Sequence, residues 1–330
     1  MKNIVLLLFT FPFFLFSQNK KEKLDNKELF VMFYNVENLF DTIDNPHTND
    51  NEFLPNSNKS WNSNKYNYKL KQLERVFASL AKNENNDKMP DIIGLCEVEN
   101  RLVIEDLAST PIFLNQKYNI IHRDSPDGRG IDCALLFNRK FKILKKDFIV
   151  ISNPKAKRPT REIVYVKLEL DNKFINVFVN HWPSRWGGQS ETNYKRVYVA
   201  EVLEDYIDSN IPQNEYTIIM GDFNDYPSNE SISKLISKNN FVNLMSSDMA
   251  SGIGSYNYKG NWGWLDQIIV SKNFYQPNIK LLSIGAFQRD FMLYKNKNGD
   301  VYPSRSFGGS SWYGGFSDHL PVYFKSTFIN

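Results

Sequence analysis

Six short polar clusters, each opening or closing an apolar run, hold the residue types in this chain that could do chemistry. The sharpest lies in the stretch 216–225, Tyr-Thr-Ile-Ile-Met-Gly-Asp-Phe-Asn-Asp. Ile218, Ile219 and Met220 read as a strand buried on both faces. Gly221, with no Cβ, is expected to end that strand in a sharp turn. Asp222 and Asn224 then present a carboxylate and an amide from a rigid support, which is how a site is built. A turn uses the same residues, because Asn and Asp bond their own backbone. Recurrence separates the two readings. Asn35-Val36-Glu37-Asn38 closes the first apolar run, and the apolar stretch 92–96 ends in Glu97. A run over 174–180 leads into His181, Leu265-Asp266 opens another, and Ser317-Asp318-His319 precedes the last. Only 4 histidines occur in the chain, and His181 ends an alternating strand, where a lone histidine would more often be structural.

A buried Glu97 needs a partner, since an unpaired buried charge is costly. Either a hard cation with oxygen ligands or a salt bridge to the nearby Arg101 would supply one. Glu, Asp and Asn with two histidines and no cysteine cluster suit Mg²⁺-assisted hydrolysis. Zinc would ask for three or four His or Cys ligands together. A serine hydrolase would need a Gly-x-Ser-x-Gly elbow, and the chain has none.

The elements that must position these groups follow from periodicity. Strand-like runs cover 29–35, 91–98, 118–122, 132–138, 142–151, 162–170, 174–181, 215–221, 265–271, 279–287 and 320–324. Leu70, Leu73, Val76, Phe77 and Leu80 share one helical face, and Val197, Ala200, Val202, Leu203 and Ile207 mark another. Many strands with few helices predict two packed mixed sheets covered by helices, an α+β arrangement. No repeat or linker divides the chain. The Asn-rich stretch 45–64 and the glycine-rich stretch 303–315 are expected as surface loops that could border a site.

Residues 1–17, with Lys2 ahead of an apolar run and Ser17 at its end, read as a signal peptide. The remaining residues, 18–330, are expected to form a single domain. Hydrophobic residues make up 42% and charged ones 23%, a globular balance. Forty basic against 37 acidic residues give +3, or +2 without Lys2, so no large polyanion-binding field surrounds the whole protein. Nucleic-acid binding would rest on a local basic patch. Cys96 and Cys133 sit in apolar runs and read as buried thiols, with pairing in an exported protein as the alternative.

With these segments in hand, the chain resembles the endonuclease/exonuclease/phosphatase superfamily, which includes pancreatic-type deoxyribonucleases, abasic-site endonucleases, neutral sphingomyelinases and inositol polyphosphate 5-phosphatases. Asn35-Val36-Glu37, Glu97, His181, Gly221–Asn224, Leu265-Asp266 and Ser317-Asp318-His319 resemble its six motifs in order. The departure is Glu37, where some members carry Asp. The resemblance implies a four-layer α-β-β-α sandwich with the site at one edge. It implies that Glu97 holds Mg²⁺ or Mn²⁺ with Asn35 and Asp318 assisting, and that Asp222 orients or deprotonates the attacking water. Asn224 would hold the phosphate, and His181 would face the developing charge. His319, aligned by Asp266, would be a base or a phosphate contact. Weaker substrate-binding candidates are Glu37, Arg129, Arg185 and Arg196, each with a solvated or structural alternative. Trp182, Trp186, Trp262 and Trp264 could stack bases, with half of them expected in the core.

The function expected is an exported, metal-dependent nuclease acting on nucleic acid as a monomer, without a stable protein partner or membrane anchor once the signal is removed. A phosphoesterase acting on phospholipid headgroups, sphingomyelin or inositol phosphates is the rival within the fold. A binding protein with lost chemistry is disfavoured, because each acid and histidine position is filled. The mature chain is predicted to begin near Gln18 outside the cytoplasm; intact Met1 on cytosolic protein, found by mass spectrometry, would overturn that.

Overall fold

The computed structural model describes residues 27–238, 240–246, 250, 252 and 254–328, so the expected signal segment lies outside the described residues. In chain order the strands begin with β1 (Lys27–Leu39), β2 (Ile92–Val98), β3 (Asn119–His122), β4 (Asp132–Phe137), β5 (Lys142–Ile149) and β6 (Ile163–Leu170). There follow β7 (Lys173–His181), β8 (Tyr216–Asp222), β9 (Phe241–Asn243), β10 (Tyr256–Tyr258), β11 (Asn261–Gly263) and β12 (Asp266–Ser271). The last are β13 (Ile279–Ala286), β14 (Leu293–Lys295), β15 (Val301–Pro303), β16 (Phe307–Gly308), β17 (Ser311–Trp312) and β18 (Val322–Phe328). Among the described residues five α-helices intervene: α1 (Ser63–Asn85), α2 (Arg101–Ala108), α3 (Pro111–Leu114), α4 (Gln189–Asn210) and α5 (Glu230–Lys238).

Two six-stranded sheets carry the fold, ordered β13-β18-β1-β2-β4-β3 and β5-β6-β7-β8-β12-β9. Both are mixed, since β1 with β2 and β7 with β8 run parallel and the other pairs antiparallel. Strand alternation sorts the side chains into layers. Val177, Val179, Ile218 and Met220 join the core shared with the first sheet. Phe178 and Ile219, one residue out of phase, pack with Val199, Leu203 and Ile207 of α4 and Leu235 of α5. On the other side, Leu73, Val76, Phe77 and Leu80 of α1 are buried, and Phe77 meets Tyr34 of β1 edge-on at 6.3 Å. The result is the four-layer α-β-β-α sandwich that the resemblance implied, built on the two mixed sheets that the strand count predicted.

Several local expectations differ from the structure. Gly221 does not end its strand. It lies inside β8 opposite Asn180 of β7, and the turn falls at Asn224, whose φ is 49°. The glycine is needed for close approach instead: a Cβ there would stand 2.4 Å from the Asn180 carbonyl oxygen and 2.6 Å from its Cβ. The stretch 45–64 is less a surface loop than expected. It contains a short 3₁₀ turn, Asn51–Phe53, and buries Asp50, Phe53 and Trp61. The Trp61 indole N–H donates to the carbonyls of Phe40 and Asp41, which ties the loop down. Helices α2, α3 and α5 escaped the periodicity reading, being eight, four and nine residues long. Cys96 and Cys133 face each other across β2 and β4 as free, buried thiols.

Gly221→Ala is expected to destabilise the fold by about 1–3 kcal/mol, the usual cost of overpacking a tight interior. Because β7 and β8 must part just before His181 and Asp222, turnover should fall as well. Urea denaturation reads the first effect, and an unchanged midpoint would mean that the two strands spread without cost.

Candidate active site

Strand register brings the clusters together. His181 of β7 lies opposite Asp222 of β8, and Asp222 lies opposite Asp266 of β12, so three neighbouring strands end in three functional side chains. Tyr256 bridges to His319, which brings the C-terminal cluster to the same edge. From the first sheet come Asn35 of β1 and Glu97 of β2. Both strands bulge there, between Asn35 and Leu39 and between Cys96 and Val98. Bulges re-aim side chains beside sites. The backbone is held in the left-handed region at Glu37, Asn38, Glu97 and Asn224, with φ between 49° and 60°. Four such non-glycine positions at one edge mark stored strain over-determined by the surrounding fold.

The geometry is close and buried. Asn35 Nδ2 donates to Asp222 Oδ2 at 3.1 Å and to Glu97 Oε1 at 3.3 Å, clamping carboxylates from the two sheets. Its side-chain carbonyl oxygen is taken by the Glu37 N–H at 3.0 Å. Asn35 therefore presents its amide hydrogens to the two carboxylates. Asp222 Oδ1 accepts the Asn224 N–H at 2.9 Å, and Glu97 Oε2 accepts the Asn38 N–H at 3.0 Å. His181 Nε2 stands 3.7 Å from Asp222 and 3.9 Å from Glu97, while its Nδ1 is buried without a partner. His319 Nδ1 meets Asp266 Oδ2 at 2.6 Å, and its Nε2 lies 3.9 Å from Asp222 and 4.0 Å from Asp318.

These surroundings split the two histidines. Burial, with Arg161, Arg129 and His319 nearby, holds His181 well below the ordinary imidazole value, so it is neutral. Burial works against charge on His319 too, but Asp266 and Asp222 outweigh it and hold its pKa well above the ordinary value. Burial pushes Asp222 up to about 7 against the opposing pull of His319. A carboxylate near neutrality beside one neutral and one charged imidazole is a set sorted for acid–base work.

A divalent cation fits this edge through Glu97. Arg101, the expected salt-bridge partner, pairs instead with Glu105, and no lysine or arginine among the described residues pairs with Glu97. Asp318 engages Arg305 through Oδ2 alone, at 3.1 Å. Oxygen donors of this kind suit a hard ion.

Other expected contacts take different places. Glu37 is buried, with one oxygen on Arg305 Nε at 3.1 Å and the other on the Ser306 N–H at 2.7 Å. Lys69 stands 3.9 Å away. Burial raises Glu37 to about 7, and both of its oxygens are engaged by Arg305 and Ser306. Arg196 is fully buried and ion-paired to Asp225 at 2.8 Å, out of reach of any phosphate. Arg185 is spent on the Asn224 carbonyl, Asp225 and Asn229. Both arginines brace the Asn224 turn. Asn224 itself is fastened through Nδ2 to the Trp182 carbonyl at 3.0 Å. Arg129 stays half-exposed beside Asp127. Trp182 and Trp264 are core, whereas Trp186 is 90% exposed.

Sequence reading missed Arg305, Lys69, Arg161 and Tyr256. Arg305 lies in the loop flagged as bordering the site. Lys69 falls four residues before Leu73 and seven before Val76, on the apolar stripe of α1, which was the available signal. Its ammonium donates to Ser306 Oγ and the Phe316 carbonyl. The Tyr256 ring covers His319 with centroids 4.8 Å apart, from a strand too short to show a pattern.

Comparison with known proteins bears on the fold and the family. No curated protein matches the chain by sequence. Among solved structures, an endonuclease/exonuclease/phosphatase family protein from Bacteroides thetaiotaomicron is 17% identical, with TM-score 0.58 over 92% of this chain and 98% of that one. The mannosyl-6-phosphatase Bt3783 of the same species is 18% identical, with TM-score 0.58 over 91% of this chain and 100% of that one. TDP2 of D. rerio, complexed with a single-strand DNA product, is 13% identical, with TM-score 0.58 over 91% and 98%. At such identities the likeness is one of fold. A sequence model of the Endonuclease/Exonuclease/phosphatase family matches residues 30–327, nearly the whole described chain, and the protein belongs to that family of phosphoester hydrolases.

Proposed function

We propose that the protein is an exported, Mg²⁺- or Mn²⁺-dependent phosphodiesterase that hydrolyses nucleic-acid phosphodiester bonds with water. The observation carrying the hydrolytic reading is the convergence on Asp222 of His181 at 3.7 Å and of His319 at 3.9 Å, with His319 itself held by Asp266 at 2.6 Å. Asp222 takes a proton from water as the water oxygen attacks phosphorus and the bond to the leaving oxygen breaks. His319, kept charged and oriented by Asp266, contacts the phosphoryl oxygens. Neutral His181 donates a hydrogen bond to the charge that develops there. Glu97 and Asp318 would hold the cation, which supplies charge neutralisation at the phosphate when bound. Asn35 keeps Glu97 and Asp222 in register across the two sheets. A polymer substrate is supported by a cavity beside the site whose lining carries the exposed cations Arg129, Lys155, Lys157 and Arg158. Export rests on the composition of residues 1–17, and no described helix is long and apolar enough to cross a membrane.

A second reading, a phosphoesterase for a polar headgroup or sugar phosphate, draws on a cavity of about 680 Å³ reaching the site at Glu37 and Arg305. Amides of Asn38, Asn51 and Asn56 and the rings of Phe53 and Phe307 line it, a mixture that suits hydroxyl-rich ligands. Turnover of the mature protein on DNA, RNA, sphingomyelin, phosphoinositides and sugar phosphates decides between the two.

Two outcomes test the chemistry. Glu97→Gln should raise the Mg²⁺ concentration needed for half-maximal turnover, and Asp222→Asn should cost about 10²–10⁴-fold in kcat, the usual worth of a general base. A metal titration that superimposes on the parent removes Glu97 from the site. Asp266 and His319 should behave as one unit, so Asp266→Asn combined with His319→Ala should cost little more than His319→Ala alone. Asp266 raises the His319 pKa, so in Asp266→Asn the charged imidazole is lost at lower pH and the alkaline limb of kcat/KM should shift down. Losses that multiply, with an unmoved limb, would break the pair.

A further inference from the structure

Beside His181 opens a second cavity, a groove of about 1130 Å³ that the chemistry above does not use. One wall is the loop that follows β5, where Lys155, Lys157 and Arg158 are exposed and, among the described residues, form no ion pair. The loop is fastened at its base: Tyr198 Oη donates to the Ser152 carbonyl at 2.8 Å and Tyr194 Oη to the Lys155 carbonyl at 3.4 Å. The acid in the lining, Asp127, is already neutralised by Arg161 at 2.9 Å and Arg129 at 3.3 Å. Positive charge is therefore left over, fixed along a concave wall. At the mouth stands Trp186, 90% exposed, followed by Gly187 and Gly188 with φ of 93° and 116°. An indole left in water at such a place has its ring face free for stacking.

The groove also connects to the reacting centre. Arg161 Nη2 donates to the Trp182 carbonyl at 2.7 Å, the same oxygen that holds Asn224 Nδ2. Pro183 and Ser184, just beyond His181 and Trp182, continue into its floor.

We propose that this groove binds a single strand of nucleic acid leading away from the scissile phosphate, with Lys155, Lys157 and Arg158 on its phosphates and Trp186 stacked on an unpaired base. The inference rests on the nucleic-acid reading of the site and adds strandedness to it. Cations spaced along a groove follow a repeating polyanion, and an exposed ring needs a base face that a duplex keeps hidden within its stack. A membrane surface would instead favour a convex patch with several apolar side chains.

The test uses the mature chain and a short fluorescein-labelled oligothymidylate, with chelator present so that binding is read without hydrolysis. Trp186→Ala should weaken binding about tenfold, the order expected when one base no longer stacks. Lys157→Glu with Arg158→Glu should weaken it further and flatten the salt dependence, by about 0.7 in the log–log slope for each phosphate that is no longer neutralised. Turnover of bis(p-nitrophenyl) phosphate, too small to reach the groove, should stay at the parent level in both variants. Unchanged oligonucleotide affinity overturns the proposal, as does an equal loss on a duplex of the same length. Binding to phosphatidylserine vesicles that the same variants abolish, with no oligonucleotide binding by the parent, assigns the surface to membranes and also overturns it. A parent that cleaves nucleic acid while both variants cleave it equally sinks the groove alone; a parent that cleaves other diesters but no nucleic acid sinks the substrate reading on which it rests.

Discussion

Three carboxylates, Glu97 from one sheet and Asp222 and Asp266 from the other, are brought together where strand ends of the two sheets meet, two of them almost wholly buried. Like charges at that spacing in a poorly solvated place repel, and the remaining architecture of the site answers that repulsion. The Asn35 amide bridges two of the acids with donor hydrogens. His319 takes up positive charge between Asp266 and Asp222. Glu97 is left without a basic partner among the described lysines and arginines and keeps a place for an external cation. Among the described residues the acids at this edge therefore outnumber the cations that pair with them.

Around this centre lies a ring of paired charges whose role is mechanical. Arg196 and Arg185 converge on Asp225, itself buried and bonded to Ser231, and so hold the turn that carries Asn224. Lys69 and Arg305 converge on Glu37 and pin the bulge of β1 to the loop after β15. Buried ionic groups of this kind do not add much net stability, because desolvation consumes most of the attraction. Their effect is positional: they hold backbone at Glu37, Asn38 and Asn224 in a left-handed conformation that those residues disfavour.

Two openings meet the site with different chemistry. The cavity at Arg305 is lined with amides and rings, and its charge is balanced by Glu37 and Asp318. The groove at Arg161 is cationic beyond the reach of its one paired acid. A substrate that extends on both sides of a phosphate would meet a polar recess through one and a polyelectrolyte surface through the other.

Residue type and order determined much of this. Apolar runs ending in acid, amide or histidine located the strands whose ends carry the site, because an apolar run and the polar residue that closes it are neighbours in sequence. Glu97, His181, Asp222, Asp266 and His319 were legible for that reason. What the tertiary structure decided was everything that depends on a partner distant in sequence. Arg196 looked like a phosphate contact until packing enclosed it with Asp225. Gly221 looked like a turn until the approach of Asn180 gave its missing Cβ another use. Lys69 and Arg305 lie 236 positions apart (305 − 69) and meet only at Glu37. The opposite pKa shifts of two identical side chains, His181 lowered and His319 raised, were likewise invisible in sequence, since a pKa is set by the charges and burial that folding brings around the ring.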